Sequence, residues 1–262
     1  MFRLCVLASG SSGNCIYFSA DGHHWLIDAG ISGKEINNRL NILGVGLENI
    51  EGVFVTHEHD DHISSLALLG KRHGVELFAN LGTAEAIESS LDGKKLQWNI
   101  FPNGSRFNVK NIIEVEPFSV PHDAMDPVGF VIYKGTLKIA IVTDIGVATT
   151  LVKQRLRGCR IIVMESNHEP KLLNNSKRPW SLKQRISGRH GHFSNEQAAE
   201  LIAEVADQNL KTIYLAHLSS ECNKPQIAFE SMRKTLCKLN LADVSIELTY
   251  PDKISKEWVW DD

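Results

Sequence analysis

Between His57 and His62 the chain sets three histidines and two aspartates, Asp60 and Asp61, into six consecutive positions, directly after the apolar run Gly52–Thr56. Imidazole and carboxylate are the ligands that borderline divalent cations such as Zn²⁺ take. A tight turn past a strand end lets alternate residues point to opposite sides. His57 and His59 can then serve one cation, and Asp61 and His62 a second. A hydrophilic loop with accidental histidines does not call for this density. Such a cluster is useful only in a fold that brings other strand ends to the same place.

The remainder of the chain supplies those strands. Phe2–Ala8, Cys15–Ser19, Trp25–Asp28 and Val53–Thr56 are short β-branched or aromatic runs bounded by Gly, Ser, Asn or Asp. A helix starts near Ile63 and stops at Gly74, and a strand follows at Glu76–Ala79. Further strands read at Ile112–Val120, Gly129–Tyr133 and Leu137–Thr143, the last two as a hairpin through Lys134-Gly135-Thr136. After Asp144 the pattern alternates. Helices are predicted over Ala148–Leu156, Asn195–Asp207 and from Pro225 to about Leu239, with strands at Arg160–Glu165, Thr212–Ala216 and Ser245–Thr249. Ser194 and Gln197 form a capping box for the helix at Asn195. The class expected is α/β, two mixed sheets packed together with helices outside, an αββα sandwich. One domain over 1–262 is expected, with 166–192 as an inserted basic loop.

With 262 residues, 43% of them hydrophobic, the chain can bury a large core, which excludes intrinsic disorder and collagen. No apolar run approaches the roughly 20 residues that cross a bilayer. The first ten residues turn polar too soon for a signal peptide, so a cytoplasmic protein with no membrane partner is expected. Its five scattered cysteines contain no C-x-x-C pair and read as buried thiols. Net charge is −3, yet six basic residues (Lys171, Lys177, Arg178, Lys183, Arg185, Arg189) face the single acid Glu169 between His168 and His192.

The pattern His57-x-His59-x-Asp61-His62 resembles the signature motif of the metallo-β-lactamase superfamily. That family's other positions can be sought in order. Asp28 ends the strand before Ala29-Gly30, His122 follows a strand, Asp144 ends another and His217 a last one. Ser9–Asn14, Glu165–His168, Pro179-Trp180 and the stretch from Gly188 through Gly191-His192-Phe193-Ser194-Asn195 are similar to the YycJ/WalJ branch. The resemblance implies two divalent ions, Zn, Mn or Fe, one held by His57, His59 and His122, the other by Asp61, His62 and His217, with Asp144 bridging. Asp28 becomes a supporting carboxylate, and Asp61, Asp28 and His192 the catalytic group. The implied activity is hydrolysis by a metal-bridging hydroxide, most concretely 5′ to 3′ exonuclease action on DNA.

Several residues suit a phosphodiester. Ser11, Ser12 and Asn14 lie in a small-residue loop whose backbone N–H groups can approach phosphate oxygens. His192, just ahead of a helix N-cap, can bind phosphate or protonate a leaving oxygen, with His168 as a rival and His190 as a further neighbour. Trp180, Lys183 and Arg185 can contribute a stacking face and phosphate contacts. Two alternatives stay open: a hydrolase of the same fold acting on a cyclic phosphodiester, thioester or lactam, and a non-catalytic nucleic-acid-binding protein. The sequence leaves the oligomeric state undetermined.

Overall fold

The computed structural model describes residues 1–91 and 95–261. The first part of the chain builds one sheet from β1 (Phe2–Ala8), β2 (Cys15–Ala20), β3 (His23–Ile27), β4 (Ile50–Phe54), β5 (Glu76–Ala79) and β6 (Trp98–Ile100). A second sheet holds β7 (Phe107–Val109), β8 (Ile113–Ser119), β9 (Val128–Lys134), β10 (Leu137–Val142), β11 (Ile161–Glu165), β12 (Thr212–Ala216) and β13 (Ser245–Leu248). The chain then returns to the first sheet, where β14 (Trp258–Trp260) pairs antiparallel with β1. Strand orders are β14-β1-β2-β3-β4-β5-β6 and β13-β12-β11-β10-β9-β8-β7. In each sheet one half is antiparallel and the other parallel.

Three apolar layers explain why the strands are apolar on both faces. On β1, Phe2, Leu4 and Val6 pack between the sheets, while Cys5 and Leu7 face outward. On β10, Ile139 and Ile141 point inward, and Ala140 and Val142 outward. The first sheet is covered by α1 (Gly33–Ile42), α3 (Leu66–His73) and α4 (Leu81–Ser90); α2 (Asp60–Ile63) is a single turn ahead of α3. The second is covered by α5 (Thr150–Leu156), α8 (Asn195–Val205) and α9 (Pro225–Lys238). This is an αββα sandwich of mixed sheets.

Residues 166–192 are not a loop. They carry α6 (Pro170–Asn175) and α7 (Trp180–Ser187), pinned by a small apolar cluster of Leu173, Leu182, Ile186 and Cys222. Helix α1 escapes the sequence reading because few of its residues are apolar and buried, Ile36 and Leu40 among them. Helix α4 is equally thin in apolar contacts, resting on Thr83, Ala84 and Ile87. Among the described residues no helix is long and apolar enough to cross a membrane.

Candidate metal centre

Every strand that delivers a site residue does so at its C-terminal end, where parallel strands in α/β sheets gather their ligands. Asp28 follows β3, His57 to His62 follow β4, His122 follows β8, Asp144 follows β10, Glu165 ends β11 and His217 follows β12. Asp28, Asp144 and His217 adopt left-handed backbone, with φ of 59°, 54° and 54°. For residues other than glycine that conformation costs about 1–3 kcal/mol each, and it turns the chain sharply off the strand.

Each histidine is anchored through one ring nitrogen, leaving the other turned to the centre. His57 Nδ1 donates to Thr56 Oγ1 (2.9 Å), and that hydroxyl donates to Asp28 Oδ2 (2.9 Å). His62 Nδ1 donates to the same Asp28 oxygen (2.7 Å). His59 Nε2 donates to Asp123 O (3.1 Å), and His122 Nδ1 to Gly191 O (3.2 Å). His217 Nδ1 and His192 Nδ1 both donate to Glu165 Oε1, each at 2.8 Å. Two buried carboxylates, Asp28 and Glu165, therefore set the rings of both halves.

The donor atoms fall into overlapping groups: His57 with His62 and Asp144, Asp144 with Glu165, His192 and His217, and a third of imidazoles alone. His57, His59 and His122 present ring nitrogens within 4.8 Å of one another. His57 Nε2 and His59 Nδ1 are only 3.0 Å apart with both other nitrogens already donating, an arrangement of facing lone pairs that a cation relieves. Asp144 Oδ2 lies 3.2 Å from His62 Nε2, and Asp61 Oδ2 is 3.6 Å from His62 Nε2 and 3.8 Å from His217 Nε2. Asp144 reaches the imidazole group too, its Oδ1 3.9 Å from His122 Nε2. Among the described residues, His122 Nε2, Asp144 Oδ2 and His217 Nε2 are buried with no hydrogen-bond partner. These donors fit divalent cations.

Electrostatics divide the same way. Burial holds His57 well below its ordinary range and lowers His122, so both rings are neutral, as ligands must be. Burial opposes charge on His62 as well, but Asp28 and Asp144 outweigh it and raise the ring to about 10. His217 is likewise raised against burial by Asp144 and Glu165. The carboxylates that hold a proton there make the same locus attractive to a cation.

Glu165 carries no exposed surface and accepts four hydrogen bonds, the other two from Ile145 N (3.0 Å) and Phe193 N (3.1 Å). Burial pushes its carboxyl up, yet His192 and His217 hold it at about 2. With its lone pairs committed to these four donors, Glu165 orients both rings. Sequence reasoning gives it no such role, and overlooks Thr56, because one acid and one threonine at strand ends look like ordinary caps.

The centre floors a trough of about 210 Å³ lined also by Ser11, Arg178, Arg185, His190 and His192. Arg185 Nε pairs with Asp123 Oδ2 at 2.6 Å and Arg178 Nε with Glu221 Oε2 at 2.9 Å. Ser12 lines the flank beyond Asp61. Several of the expected substrate residues sit elsewhere or face away. Asn14 is 5% exposed and turned inward onto Asp61, so its side chain is not offered to phosphate. His168 is buried, pushed by burial down to about 4, and does not line the trough. Trp180, 68% exposed, and Lys183, bonded to Asn174 O, lie outside the trough lining.

Close backbone approach fixes the loops behind the centre. A Cβ added to Gly30 would lie 1.7 Å from Asp61 O. Gly30→Ala is expected to lower stability by about 3 kcal/mol through overpacking that only backbone movement can relieve, read as a fall in melting temperature.

The model of the β-lactamase superfamily domain matches residues 23–217. The exodeoxyribonuclease YycJ of Bacillus anthracis is 36% identical over 231 residues, 88% of each chain. The exodeoxyribonuclease WalJ of Streptococcus pneumoniae serotype 2 (strain D39) is 34% identical over 257 residues, 96% of this chain and 95% of that one. Among solved structures, the metallo-β-lactamase fold protein YhfI from Bacillus subtilis superposes with a TM-score of 0.72 at 11% identity, over 98% of this chain and 99% of that one. Zn²⁺-bound PqqB from Methylobacterium extorquens gives 0.68 at 16%, over 99% and 100%. With sandwich, strand-end ligands and family model in agreement, the chain belongs to the metallo-β-lactamase superfamily.

Proposed function

We propose that this protein is a two-metal phosphodiesterase that removes nucleotides from DNA ends, with the 5′ to 3′ direction taken from the YycJ/WalJ resemblance. The observation that carries it is the convergence of unpartnered donors, His122 Nε2, Asp144 Oδ2 and His217 Nε2, on the floor of a trough walled by Arg178 and Arg185. His57, His59 and His122 would hold one ion and Asp61, His62 and His217 the other, with Asp144 as a carboxylate available to both. Zn, Mn and Fe all suit this mixture of imidazole and carboxylate. Two such ions, when bound, supply charge stabilisation for in-line displacement and the acidity that lets a water attack at neutral pH.

The chain's own residues do the rest. Arg178 and Arg185 exchange their carboxylate partners for phosphate oxygens, which sets the backbone of the strand along the trough. His192, with Nδ1 on Glu165, keeps Nε2 free at the trough wall, where it gives a proton to the leaving oxygen. Asp28 holds His62 and, through Thr56, His57. One domain carries the whole site, with the basic helical insertion as its substrate-facing part.

Digestion of end-labelled duplex DNA, with and without a 5′-phosphate, by protein of measured metal content tests this. Stepwise release from one end supports both the activity and its polarity. Silence from fully metallated protein transfers the site to a small-molecule hydrolase. His192→Ala is expected to keep its metal and lose about 10²–10⁴ in turnover; full turnover removes His192 from the mechanism. Arg178→Ala with Arg185→Ala should weaken DNA binding and flatten its salt dependence by about one unit of slope per lost phosphate contact.

A further inference from the structure

Asn14 is a polar side chain outside the ligand set that reaches into the second metal position. Its Nδ2 lies 3.1 Å from Asp61 Oδ2, 3.4 Å from Asp61 O and 3.0 Å from His62 Nε2. Its Oδ1 is committed elsewhere, accepting from Gly10 N at 2.9 Å. That bond fixes which end of the amide faces the centre, because a flipped amide would set two donors against each other. The backbone is held as firmly: Asn14 N donates to Asp61 O and Gly30 N to Asn14 O, both at 2.8 Å. Asn14 thus spans the β1–β2 loop and the histidine-aspartate motif.

We propose that Asn14 is the positioning residue of the second metal position, holding Asp61 in its ligating orientation and moderating that position's affinity. Two effects act in opposite directions. The N–H donated to Asp61 Oδ2 fixes a carboxylate that is otherwise partly exposed and free to rotate. The same amide directs its positive end at a locus where Asp61 and Asp144 attract a cation, which weakens binding there. Its amide contacts go to Asp61, His62 and Gly10 rather than to His57, His59 or His122, so the first position serves as an internal control.

This rests on the two-ion assignment above, and the test separates the two. Mn²⁺ or Zn²⁺ is titrated calorimetrically into metal-free wild type, Asn14→Leu and Asn14→Asp, with melting temperature followed with and without metal. Wild type is expected to take two ions. Asn14→Leu loses the orienting bond, and affinity at the second position falls about 10–100-fold while the first is unchanged. In Asn14→Asp one oxygen keeps the Gly10 N–H and the other faces Asp61. Without metal the carboxylates repel and the melting temperature falls; with metal the added charge tightens the second position above wild type, so the metal-induced shift grows. Opposite displacements of the second affinity sustain the proposal. Two unchanged affinities in both variants overturn it, as does an equal loss in both. A wild type that binds a single ion removes the two-ion assignment instead, and Asn14's role with it.

Discussion

Replacing Asp144 by alanine is expected to abolish hydrolysis, with a fall in turnover of about 10³-fold or more, and, on the two-ion proposal, to empty both metal positions. Asp144 is 2% exposed and its two oxygens lie 3.0 Å from His217 Nδ1 and 3.2 Å from His62 Nε2, with His122 Nε2 at 3.9 Å. It is the carboxylate that approaches ring nitrogens of both proposed positions. Losing it removes an anionic donor from each, and several kcal/mol of lost stabilisation correspond to about three powers of ten in rate. Stability suffers as well. Burial drives Asp144 upward, but His217 and His62 hold it well below its ordinary range. Deleting one partner from a buried charge cluster costs about 3–5 kcal/mol in proteins generally. Alanine also fits the left-handed backbone at this position poorly. Asp144→Asn keeps the volume and tolerates that backbone, so it tests the chemistry in a protein expected to fold. Metal content per chain and digestion of end-labelled DNA decide it. An Asp144→Asn variant with wild-type metal content and turnover would refute the bridging role.

Much of this architecture can be read from residues alone because the strands are buried on both faces. They appear as continuous apolar runs such as Ile139–Val142, and the polar residue that follows each run marks a strand end. The αββα layering follows from that punctuation, while Asp28, His122, Asp144 and His217 stand out among the strand ends only through the resemblance to the metallo-β-lactamase superfamily. What stays hidden depends on contacts distant in sequence. Helices α1 and α4 bury so few apolar residues that periodicity barely registers, and Ser32 and Asn80 as caps are visible only in structure. The insertion looks like a loop because its apolar contact runs from Leu173 and Ile186 to Cys222, far along the chain. Asn14 reads as part of a phosphate-binding turn, since neighbouring serines and glycines suggest one. Its true partner, Asp61, is 47 residues away.

The same distance hides Glu165, whose substitution by glutamine has the second large effect. An amide offers one acceptor oxygen and one NH₂ group, whereas Glu165 accepts His192 and His217 on Oε1 and the backbone N–H groups of Ile145 and Phe193 on Oε2. Whichever way the glutamine turns, two donors meet its NH₂. Leaving buried donors unsatisfied costs about 1–3 kcal/mol each, so the melting temperature falls clearly. If the oxygen stays with the histidines, the backbone turns after β10 and ahead of α8 are pushed apart, and Asp144 moves with Ile145. If the NH₂ faces the histidines, His217 and His192 must present Nδ1 lone pairs to it, which puts the wrong tautomer at the metal position and leaves His192 a neutral ring, a far weaker acid at Nε2 than the imidazolium that Glu165 favours. Both outcomes lower second-position metal affinity by about 10–100-fold and reduce turnover further than His192→Ala does. Metal titration alongside kcat on DNA distinguishes this from general loosening of the fold. A variant that melts early but binds two ions at wild-type affinity and turns over normally would reduce Glu165 to a structural acid.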